Sequence, residues 1–135
     1  MMTARMDGSF IDYVDFIDVV QEALETAPRK LFEKMMRLLL NKFHNQEIEL
    51  QKLALEMDEM HSLPVDDLDE FYDTTLDAIE NIKLFKKKLD QIKKKDILFE
   101  DLYIQADKLY TSLVIYMDRM GQLEVRILQE NQKSA

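Results

Sequence analysis

The sequence predicts an all-α protein, an elongated antiparallel helical bundle of three long heptad-patterned helices and a short N-terminal one, in four-helix up-and-down order. Three observations carry this. Phe99, Leu102, Ala106, Leu109, Leu113, Tyr116, Met120, Leu123 and Ile127 follow one another in alternating steps of three and four residues, and all are apolar. Such a sustained heptad seam belongs to a long packed helix. The same frame runs through two further segments, and a chain of 135 residues with only two glycines and two prolines has few turn residues to spare for strands. A composition 47% hydrophobic and 33% charged is that of amphipathic helices.

The elements follow in order, over about residues 9–25, 28–62, 65–95 and 97–131, as one domain. Ser9 suits the N-cap of the first helix. That helix sets Phe10, Val14, Ile17, Val20 and Leu24 on one face and Asp12, Asp15, Asp18 and Glu22 along the other. Thr26-Ala27-Pro28 breaks it, and proline is at home in the first turn of the next. The second seam is Phe32, Met36, Leu39, Phe43, Gln46, Leu50, Leu53, Met57 and Met60, with Gln46 its one polar position. Ser62-Leu63-Pro64 supplies a stop, and Asp66 and Asp67 open the third helix where its dipole favours negative charge. The third seam is Phe71, Thr75, Ala78, Ile82, Phe85, Leu89 and Ile92. Asp96 is the candidate N-cap of the last helix, whose apolar residues on further faces make it the central helix or the seam of a dimer.

Composition narrows the function. A net charge of -9 and a pI near 4.7 argue against general nucleic-acid binding, which needs surplus Lys and Arg to neutralise phosphate. The longest apolar run, Leu113 to Met117, is far short of a membrane span, so no membrane association is expected. With no cysteine there is neither a disulfide nor a thiolate metal site, which fits a cytoplasmic setting. His44 and His61 are the only histidines, no Glu-x-x-His pair occurs, and no glycine-rich phosphate loop is present, so no cofactor is expected.

Glu56-x-x-Glu59 closes the second helix and Glu70-x-x-Asp73 opens the third. Residues three apart share a helix face, and two such pairs meeting across a helical hairpin would hold Mg2+. The arrangement resembles the paired acidic motif of the all-α MazG-type nucleotide pyrophosphohydrolases, although Leu55 stands where the family doubles its first Glu and the linker here is shorter. That resemblance implies a Mg2+-dependent hydrolase with Glu56, Glu59, Glu70 and Asp73 as metal ligands. Read without it, the four are solvent-facing acids flanking Met57, Met60 and Phe71.

The leading expectation is a non-enzymatic protein-protein interaction module, an adaptor, chaperone-like binder or small regulatory subunit, using an apolar helical groove. The apolar face of the second helix is broader than one stripe, which makes a homodimer a natural expectation too. Met35, Leu38, Leu55, Tyr103 and Tyr110 are the apolar and aromatic contact candidates, and Lys86, Lys87 and Lys94 belong to a lysine-rich segment that forms a basic docking patch or simply answers the dipole of the third helix. A further alternative is an acidic inhibitor that mimics DNA.

Overall fold

A computed structural model of the chain describes residues 14–60 and 65–134. The order is α1 (Val14–Thr26), α2 (Arg29–Glu59), α3 (Val65–Ile92), a 3₁₀ turn (Lys93–Lys95) and α4 (Ile97–Ser134). No strand occurs among the described residues. At about 1.5 Å per residue the 38-residue α4 runs for about 57 Å, whereas the 13-residue α1 covers only about 20 Å of it.

The seams fold as their spacing dictates. In α4 every seam position from Phe99 to Leu123 is buried, and Ile127 is half-buried where the helix nears its end. Phe71, Thr75, Ala78, Ile82, Phe85, Leu89 and Ile92 of α3 are all buried, and in α2 only Leu39 and Met60 are less than fully so. Polar seam residues keep their hydrogen bonds: Thr75 Oγ1 donates to the Phe71 carbonyl at 2.7 Å inside its own helix. In α1, Ile17, Val20 and Ala23 face the core, while Asp18 and Glu22 lie outside it. Ser9, Phe10, Asp12, His61 and Ser62-Leu63-Pro64 lie outside the described residues.

Boundaries shift at two places. α2 ends at Glu59 rather than near residue 62, because Met60 turns extended, at φ -77° and ψ 143°. Met57 O accepts from Met60 N at 3.3 Å, and Arg126 adds a second donor there, its Nη2 donating to Met57 O at 2.7 Å and to Met60 O at 3.4 Å. The α-helical part of α3 stops at Ile92, and Lys93–Lys95 tighten into the 3₁₀ turn. Asp96 is the N-cap of α4 as its position predicts: its backbone is extended and its Oδ1 accepts from Leu98 N at 2.9 Å.

Consecutive helices run antiparallel, yet the most extensive packing joins α2 to α4, which run parallel. Arg29 pairs with Asp96 at one end, Phe32 meets Phe99 edge-on at 5.7 Å, and Arg119 meets Asp58 towards the other. α4 is therefore the central helix, flanked by α2 and α3, whose backbones make no close approach to one another. Phe43 and Phe85 bridge that gap, with ring centroids 5.2 Å apart. α1 packs on both α2 and α3, opposite α4, along the half where the Ala27-Pro28 link folds it back. Among the described residues the rod is thus four helices thick along α1 and three helices thick along the rest.

Candidate interaction surface

Two rows of α4 residues, each spaced by seven, fasten the flanking helices. Gln105, Ser112, Arg119 and Arg126 line the α2 edge. Gln105 Nε2 donates to Glu47 Oε2 at 2.8 Å, Arg119 Nη1 lies 3.6 Å from Asp58 Oδ1, and Arg126 caps the end of α2. A helix pair sliding by one turn would lose all three interactions, so this row sets the parallel register. Both arginines of the open half of α4 are turned towards α2 by it.

On the α3 edge, Tyr103 and Tyr110 face Lys93 and Lys86 in antiparallel register, and further along the row Glu124 shares a cleft with Tyr72. Lys93 Nζ sits 4.6 Å from the Tyr103 ring centre, and Lys86 Nζ lies 4.8 Å from that of Tyr110 and 5.7 Å from that of Tyr103. Lys86 also donates to Asp107 Oδ1 at 2.6 Å, and Lys93 is held by Asp90 at 2.7 Å. Asp90 pulls the Lys93 ammonium above the ordinary lysine range, and Lys93 in turn holds the Asp90 carboxyl below its own. Lys86, Tyr103 and Tyr110 are therefore engaged with one another along the helix seam, whereas Lys87 of α3 and Lys94 of the 3₁₀ turn stand exposed.

The acidic quartet is not gathered. Glu59, Glu70 and Asp73 are exposed and Glu56 is half-buried, and among the described residues no three His, Asp or Glu side chains come together as a metal site. The cause is architectural: α4 lies between α2 and α3, so the pairs do not close a hairpin. Glu56 lies near Tyr116, whose phenol is pushed up in pKa first by burial and then by that carboxylate. His44 is exposed.

Of the apolar candidates on α2, Met35 packs partly against the core, while Leu38 and Leu55 are 62% and 66% exposed. The larger apolar feature lies elsewhere. Tyr72, Val114, Met117, Asp118, Gly121, Gln122, Val125 and Arg126 line an open groove of about 620 Å³ between α3 and α4 in the three-helix half. Tyr72 also borders a neighbouring cleft of about 240 Å³ formed with Leu68, Asp69, Met120 and Glu124. No protein-family model, curated protein or solved structure matches this chain. Its functional reading rests on its own residues.

Sequence reasoning names Tyr103 and Tyr110 but not the groove that continues their row. The signal was present as Gly121. A glycine inside a long helix costs about 1 kcal/mol relative to alanine, so its place between Val114 and Val125 needs a reason.

Proposed function

We propose that this chain is a non-enzymatic protein-protein interaction module that receives a partner on an apolar helical face. The observation that carries it is the groove of Tyr72, Val114, Met117, Gly121 and Val125, an exposed apolar depression on otherwise charged helices. Leu38 and Leu55 are further exposed apolar side chains on α2. The groove is lined by no Ser, Thr, Cys, His or Lys, and the polar rows of α4 are occupied in packing.

The test is capture from the native extract with the full chain, using wild type, a Val114→Asp/Val125→Asp variant and a Leu38→Asp/Leu55→Asp variant. A stoichiometric partner retained at about 0.5 M salt, where exposed charges are screened, and lost with one of the two variants is the expected result. A wild type that retains no partner overturns the reading.

One observation favours a second reading. From Asp66 to Glu80, α3 carries Asp66, Asp67, Asp69, Glu70, Asp73, Asp77 and Glu80 without one Lys or Arg. A stretch of that kind suits an acidic decoy for a nucleic-acid-binding protein, and a partner released as salt rises would shift weight to it.

A further inference from the structure

From the α3-α4 groove we infer that the partner element is a cationic amphipathic helix, seated along α4 with its apolar face over Gly121. The inference rests on the interaction-module reading and names the partner class for its groove. Val114 and Val125 lie about 17 Å apart along the axis, room for about three helical turns. Between them Gly121 leaves the floor bare, and a Cβ there would meet nothing within 4 Å. The fold itself makes no use of that gap, although a glycine in mid-helix weakens α4. An incoming helix does make use of it, because the missing side chain lets a second backbone come close.

Charge selects the kind of helix. Asp69, Asp118 and Glu124 rim the groove and its adjoining cleft, and all three are exposed. Gln122 donates to Asp118 at 2.9 Å, and none of the three pairs with a Lys or Arg among the described residues. Of the two nearby cations, Arg119 pairs with Asp58, and Arg126, at the end of the groove, commits its Nη2 to the carbonyls of Met57 and Met60. An apolar floor with an acidic rim matches Leu or Met on one helical face flanked by Lys or Arg. A second copy is the weaker match: a two-fold axis through Gly121 sets Asp118 of one copy opposite Glu124 of the other, like charge on like.

The probe is a fluorescein-labelled amphipathic peptide of about 18 Leu and Lys residues, five helical turns, with a Leu/Glu twin of the same pattern. Titrated against the full chain, the Leu/Lys peptide should bind saturably at one to one, weakening as salt rises from about 0.05 to 0.5 M yet still bound at the upper value, because its apolar contact is not screened. The Leu/Glu twin and the Gly121→Trp variant should each bind at least about tenfold more weakly. Val125→Lys, at a position 53% exposed, replaces Gly121→Trp should its circular dichroism show lost helix. Equal binding of the twins, equal binding by the variant, or no binding by wild type overturns the inference. A wild-type dimer that Gly121→Trp dissociates also overturns it, in favour of a second copy. A native partner lost with Leu38→Asp/Leu55→Asp but kept with Gly121→Trp sinks the groove assignment alone, whereas no native partner at all sinks the module reading beneath it.

Discussion

In the half of the rod that carries α1, Ile17, Val20 and Ala23 cover the opening between α2 and α3, and lysines roof the tyrosines of α4. In the other half the same α4 seam is buried as completely, through Tyr116, Met120 and Leu123, yet Tyr72, Val114 and Val125 remain 44%, 42% and 53% exposed. Charge follows the same division, since seven of the acids of α3 lie between Asp66 and Glu80 and its lysines begin at Lys83, with Asp90 alone among them. Core burial and surface completion are therefore separate properties. A heptad seam satisfies the first everywhere, while the second depends on which neighbours reach each outer edge.

The strongest way to break the comparison is at the Phe43-Phe85 bridge. Phe85→Ala should cost about 3 to 5 kcal/mol in chemical denaturation, because it opens a cavity between helices whose backbones do not close on one another. Tyr72→Ala, at an exposed groove position, should cost less than about 1 kcal/mol in the same experiment.

Removing the contribution of α1 is the next test. Ile17→Ala/Val20→Ala should destabilise by about 2 to 4 kcal/mol. Hydrogen exchange should then rise first in the early turns of α2 and the late turns of α3, where α1 packs. Equal loss of protection in the Leu50–Met57 stretch would mean that the two halves unfold as one unit.

Lys86→Met keeps much of the stem that covers Tyr103 and Tyr110 but removes the charge. It should cost about 0.5 to 1 kcal/mol, with the penalty shrinking in high salt as the Asp107 contact is screened.

Acid should act on the Arg29-Asp96 tie. Arg29 holds the Asp96 carboxyl below its ordinary value of 3.8, aided by the Leu98 amide, and the bond raises the Arg29 guanidinium in return. A depressed folded-state value contributes stability that is present above pH 3.8 and is lost as pH falls through the lower one. Asp96→Asn retains an N-cap acceptor but not the charge, so it should flatten this acid limb and cost about 0.5 to 1 kcal/mol at neutral pH. Gly121→Ala has the smallest expected effect and the opposite sign: a stabilisation of up to about 1 kcal/mol, read as a raised Tm, because α4 gains helix propensity without a clash.

The sequence by itself determined which residues are buried. Nearly every seam position, the Asp96 cap, the break at Ala27-Pro28 and the start of α3 at Val65 follow from spacing and capping chemistry, which are properties of a single helix and its ends. It also contained Gly121 and the segregated charges of α3, without the context that gives them meaning. Only the tertiary structure decided that α4 lies between α2 and α3, that α2 and α4 run in parallel register through Gln105, Arg119 and Arg126, and that the acidic quartet stays apart. It likewise consigned Lys86, Tyr103 and Tyr110 to the seam while leaving Val114 and Val125 at a groove. The physical reason is that periodicity fixes the direction of a side chain around its own axis, whereas the identity of what it meets depends on how the axes are arranged and where a short helix ends.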